Sequence, residues 1–120
     1  MRLSDAERKV MEVVWAEEGS SAKVIAQKLG EQVGWKKTTT YTMISVCIDK
    51  GYLRREDPHF HCFPLVSREQ VAEMETDTLL TNNYHDRPDL LVAALVNSKK
   101  LTVDQLAGIY DAMRKLEESK

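Results

Sequence analysis

One stretch constrains this chain more than any other: Trp35 to Gly51, W-K-K-T-T-T-Y-T-M-I-S-V-C-I-D-K-G. Thr40, Met43, Ile44 and Cys47 fall at the i, i+3, i+4, i+7 spacing of a helix with one buried stripe. The opposite face carries Lys37, Thr38, Tyr41, Thr42 and Ser45, and no acidic residue follows Trp35 until Asp49. Short hydroxyl side chains beside lysines donate to phosphate oxygens and reach base edges without a repelling charge. Gly51 ends the helix, since glycine accepts the left-handed conformation found just past a helix C-terminus. The stretch reads as a recognition helix over residues 36–50; taken alone, it reads equally as a Thr-rich core helix.

The flanking sequence favours the first reading. Ser4-Asp5-Ala6-Glu7 matches the capping box S-x-x-E, and Val10, Val13 and Val14 behind it predict a first helix to about Glu17. After Gly19, Ser20 and Ser21 offer N-caps for a second helix through Leu29, with Gly30 and Gly34 bracketing the connection onward. Trp35 reads as a hydrophobic staple or as a base-stacking ring. Beyond Gly51, Tyr52-Leu53-Arg54-Arg55 and Phe60-His61-Cys62-Phe63 are strand-like runs separated by Glu56-Asp57-Pro58-His59, a turn signal, and predict an antiparallel hairpin. Three helices followed by a hairpin is the order of a winged helix-turn-helix, in which the third helix enters the major groove and the hairpin follows the backbone. Arg54 and Arg55 read as phosphate contacts or as ordinary solvated residues.

The remainder is helical. Ser67-Arg68-Glu69-Gln70 is a second capping box, with Val71 and Met74 inward and a break at Asn82-Asn83. Pro88 suits the first position of a helix containing Leu90, Leu91, Ala94 and Leu95. Thr102-Val103-Asp104-Gln105 is a third capping box, followed by the stripe Leu106, Ile109, Tyr110, Met113 and Leu116. Such faces would stay exposed on a monomer, which predicts a dimer formed through Val71, Met74, Leu91, Leu95, Leu106, Ile109, Tyr110 and Met113. The expected class is mainly α with minor β: a winged helix-turn-helix domain over residues 1–66 and a helical dimerisation domain over 67–120.

Charge agrees with this division. The net charge is −2, yet residues 1–66 hold ten Lys/Arg against nine Asp/Glu, and residues 67–120 hold seven against ten. Five basic residues and one acidic lie between Lys36 and Arg55. The DNA-facing set is therefore Lys36, Lys37, Thr38, Thr39, Tyr41, Thr42, Ser45, Arg54 and Arg55. No apolar run approaches the about 20 residues of a membrane span, and the N-terminus lacks the apolar core of a secretory signal. A cytoplasmic location without membrane contact is expected. Cys47 and Cys62 make neither a disulfide framework nor a zinc signature. His59, His61 and Cys62 are the one group with metal or redox potential, but alternating strand residues converge poorly on an ion. No cofactor is expected. No paired-carboxylate, Ser-His-Asp, Cys-His or phosphate-loop arrangement suggests an enzyme.

With these residues in view, the chain resembles the penicillinase-repressor family (BlaI/MecI, with the copper-responsive CopY as a relative). The matching pieces are L-S-D-A-E at Leu3–Glu7, W-x-x-T-T-x-Y-T at Trp35–Thr42, K-G-Y-L at Lys50–Leu53 and F-P-L-V-S-R-E at Phe63–Glu69. The resemblance implies a homodimeric repressor on dyad-symmetric operator DNA, with Thr38, Thr39 and Thr42 at the DNA and Tyr41 alongside. This chain departs from the family in four respects. Ser45 and Val46 stand where basic or amide side chains are usual, and Asp57-Pro58-His59 replaces a Gly-Arg-rich wing turn. Ala94-Leu95 aligns with the Asn-Phe pair cut in β-lactam-responsive members. Met113 to Lys120 has no cysteine for the copper cluster of CopY. A sensor or protease partner leaves no mark in the sequence. Two other readings stay open: a winged-helix protein-interaction module without DNA binding, and a metal- or redox-responsive repressor using His59, His61 and Cys62.

Overall fold

Ser4 opens the first helix, α1 (Asp5–Ala16). Its hydroxyl accepts the Glu7 N–H at 3.1 Å while the Glu7 carboxylate accepts the Ser4 N–H at 2.9 Å, so two otherwise orphaned donors are satisfied reciprocally. The computed structural model describes residues 2–119. After α1 come α2 (Ala22–Val33), α3 (Lys37–Asp49), β1 (Leu53–Glu56), β2 (His61–Pro64), α4 (Arg68–Asn83), α5 (Pro88–Asn97) and α6 (Val103–Glu118). The chain is thus mainly helical, with a two-stranded antiparallel sheet in which Leu53 faces Pro64 and Glu56 faces His61. Each strand lies one residue later than the apolar runs suggested.

α2 runs past Gly30 to Val33 rather than stopping at Leu29. A glycine inside a helix costs about 1 kcal/mol, too little to end one whose Leu29 is buried. The stop is Gly34, left-handed at φ 72°, whose N–H donates to the Gly30 carbonyl at 3.1 Å.

Residues up to Glu75 form one compact unit. Its core takes Val10, Met11, Val13 and Val14 from α1, Ala22, Ile25 and Leu29 from α2, and Ile44 and Cys47 from α3. Leu3, Tyr52, Leu53, Cys62 and Val71 complete it. The unit extends beyond residue 66 because the first turns of α4 are bound to α1. Arg8 donates to both carboxylate oxygens of Glu75 (2.6 and 2.7 Å), and Arg68 pairs with Glu12. The Trp15 indole N–H donates to the Val66 carbonyl at 2.9 Å. Val71 corrects the sequence reading: it is closed into this core and presents nothing to a partner.

The segment before α2 adds a piece of sheet that the sequence did not suggest. Gly19 N–H donates to Cys62 O, Cys62 N–H to Ser20 O and Ala22 N–H to Phe60 O, each at 2.9 Å. Ser21 also pairs antiparallel with His61 and caps α2 through its side chain. The hairpin is therefore held by backbone on its β2 side.

The second unit runs from Thr76 onward. Pro88 opens α5 and the Thr102–Gln105 capping box opens α6, as the sequence predicted. No side chain of α5 is buried, nor is any described side chain of α6. Leu106, Ile109, Tyr110, Met113 and Leu116 are exposed along α6, Leu116 to 68%. Among the described residues no helix is long and apolar enough to cross a membrane.

Candidate nucleic-acid interface

α3 buries Thr40, Ile44 and Cys47 and half-buries Met43, the stripe read from the sequence. This orients the rest. Lys36, Lys37, Thr38, Thr39, Thr42 and Ser45 are exposed. Thr38, Thr42 and Ser45, at i, i+4 and i+7, form one row of short hydroxyl side chains along the helix. The row ends at exposed Asp49, the first acidic side chain of the helix.

The start of α3 favours an anion. Lys36 is its N-cap residue, no side chain caps it, and its first turn has no acidic residue. Exposed N–H groups and the positive end of the helix dipole meet there. Two lysines add like charge, which an incoming phosphate would neutralise.

Tyr41 is half-buried and its ring is already engaged. The Lys37 ammonium lies 5.6 Å from the Tyr41 ring centroid, and Tyr41 meets the Phe60 ring edge-on at 5.9 Å. Phe60 in turn lies under the Arg55 guanidinium at 3.6 Å. Phe60, absent from the sequence-predicted set, thus joins the wing to α3. Its only signal in the sequence is an aromatic residue directly after the wing turn.

The two wing arginines separate. Neighbouring strand residues face opposite sides, so Arg55 lies with Phe60 and Tyr41 while Arg54 stacks on Phe63 at 4.3 Å. Both are tethered by carboxylates two residues on: Arg54 to Glu56 and Arg55 to Asp57, each at 2.8 Å. Only Arg55 shares the patch with α3. Lys50 faces elsewhere and donates to the buried Glu7 carboxylate at 2.5 Å.

The His59, His61, Cys62 group does not assemble. The two histidine rings meet edge to face at 6.2 Å, and His61 Nδ1 lies 2.7 Å from the Gly19 carbonyl. Cys62 turns into the core instead, and burial pushes its thiol up to about 11. Cys47, equally buried, is pushed up to about 12. Thiols so buried and so fully protonated at neutral pH are poor nucleophiles and poor ligands. The exposed redox switch considered at Cys62 is therefore corrected: the residue is core.

Comparison with known proteins places these features in a family. The chain is 24% identical over 115 residues to the methicillin resistance regulatory protein MecI of Staphylococcus aureus (strain N315), covering 94% of each chain. It is 25% identical over 121 residues to the penicillinase repressor of Bacillus licheniformis, covering 99% of this chain and 92% of that one. Among solved structures, the DNA-binding domain of the repressor BlaI superposes with a TM-score of 0.53 at 26% identity, over 58% of this chain and 93% of that one. The monomeric Bacillus licheniformis BlaI in complex with the blaP half-operator gives 0.51 at 28% identity, over 58% and 88%. These relatives are regulators and repressors by name, not enzymes. The family model described as penicillinase repressor matches residues 3–115, and the chain belongs to that family.

Proposed function

We propose that this protein is a cytoplasmic, homodimeric transcriptional repressor that binds dyad-symmetric operator DNA. α3 enters the major groove and the β1–β2 wing follows the backbone. The observation that carries this reading is the row Thr38, Thr42 and Ser45, exposed on α3 beside Lys36 and Lys37 at an uncapped helix start. Hydroxyls there reach base edges and phosphates, and the lysines neutralise backbone charge. The BlaI complex with the blaP half-operator supports the choice of ligand.

Fluorescence anisotropy with DNA flanking the gene's own promoter, across a salt series and with scrambled competitor, tests it. If six to ten phosphates are neutralised, affinity falls about 10³–10⁵-fold between 50 and 200 mM salt. The Lys37→Ala, Thr42→Ala double variant binds the operator more weakly at an unchanged melting temperature. Unchanged binding would remove α3 as the reader.

A second reading, a winged-helix module for protein partners, draws on the carboxylates that tether both wing arginines and on the net charge of −2. No retention on any DNA at low salt would put it first.

A further inference from the structure

Phe60 is held in a conformation that its own chemistry disfavours. Its φ of 52° lies in the left-handed region, where bulky side chains are outliers and persist only if their surroundings over-determine them. Three contacts do so here. Its carbonyl accepts the Ala22 N–H at the start of α2 (2.9 Å). Its ring meets Tyr41 of α3 at 5.9 Å with the planes at 90°. The Arg55 guanidinium lies 3.6 Å from its centroid.

The position of Arg55 is what this arrangement determines. Its Nε donates to Asp57 and its flat face rests on Phe60. Among the described residues its two terminal nitrogens have no protein partner. A guanidinium fixed by Nε and by one face presents its remaining donors as a fork, the shape that matches a phosphate. At the far end of the aromatic pair, Lys37 lies over Tyr41. Arg54, on the opposite strand face, has no such link to α3.

We propose that Phe60 is a positioning residue for DNA binding: with Tyr41 it sets the spacing between Lys37 on α3 and Arg55 on the wing, so that both meet phosphates in one register. This inference rests on the DNA-binding reading above. It assigns to an apolar side chain part of the affinity that the sequence assigns to charge alone.

The test is a double-mutant cycle on the full chain, using the same promoter DNA and salt series. Phe60→Leu keeps apolar volume but removes the ring; Arg55→Ala removes the cation. Each is expected to weaken operator binding about fivefold, and to lower the salt slope by about one because one phosphate contact is lost. The double variant is expected to be no weaker than either single, since coupled residues are non-additive. Phe60→Tyr, which retains the ring, restores affinity and slope. Should Phe60→Leu lower the melting temperature, Arg55→Lys serves instead: it keeps the charge without the flat face and is expected to bind less tightly than wild type. Multiplicative losses in the double variant, an unaltered slope in Phe60→Leu, or Arg55→Lys equal to wild type each overturn the proposal while leaving the DNA reading intact. A wild-type protein that shows no preference for its promoter over scrambled DNA overturns both, and that control separates the two failures.

Discussion

Glu7 is the buried acid of the N-terminal unit, 2% exposed, and its two carboxylate oxygens are divided between two helices. One accepts the Ser4 N–H at the start of α1; the other accepts Lys50 at the end of α3. Burial by itself pushes the carboxyl up. The Lys50 hydrogen bond and charge, with the Ser4 contacts, outweigh it and hold the group below its ordinary value of 4.5. The unfolded chain therefore takes up this proton more readily than the folded one. The stabilisation is complete above pH 4.5 and is lost as pH falls through the lower folded value. Glu7→Gln keeps a capping acceptor but no charge. Urea unfolding from pH 7 to pH 3 is expected to show it less stable than wild type at pH 7, with a gap that narrows below pH 4.5. A gap independent of pH would mean that the Lys50 contact contributes nothing.

Gly19 shows how a turn sets the position of the wing. Its φ is 83°, and a Cβ there would lie 3.1 Å from two carbon atoms of the Phe63 ring. Its N–H is bonded to β2, so the residue cannot relax without disturbing the hairpin. Gly19→Ala is expected to cost about 1–3 kcal/mol, read as a lower denaturation midpoint at an unchanged slope. Helix starts were legible because their signals are local: the hydroxyls of Ser4, Ser67 and Thr102 each accept the backbone N–H three residues on. Contacts between elements were not. Val71 entering the first core, Lys50 reaching Glu7, and residues 19–22 pairing beside β2 depend on partners about 40 or more residues distant, and no periodicity marks them. The exposed face of α3 could be read because its opposite stripe is apolar. The DNA-facing set kept Arg54 and Arg55 together; their separation onto opposite strand faces, their carboxylate tethers and the role of Phe60 needed the folded backbone.

The two units differ in how they hide apolar surface. The first closes around a core drawn from four helices and a hairpin. In the second, α5 and the described part of α6 bury no side chain. Leu91 and Leu95 are half-covered, while Leu106, Ile109, Tyr110 and Met113 remain exposed. A second copy of the chain suits this surface, each apolar side chain contributing about 1.5–3 kcal/mol when fully covered. On the dimer proposed above, Ile109→Glu is expected to shift sedimentation equilibrium from dimer to monomer while leaving the first unit folded. Operator affinity then falls about 10²–10⁴-fold as the linkage between half-sites is lost. A dimer that survives this change would place the interface elsewhere.

A bare apolar face on α6 has a further consequence. A segment that finishes folding only against its twin has a stability set by mass action. On the dimer reading, abundance becomes a property of the fold: each halving of the chain count leaves more copies single, more α6 exposed to proteases and fewer protomers to replace those removed. Scarcity then accelerates clearance, and the cellular level of such a protein falls faster than its synthesis does.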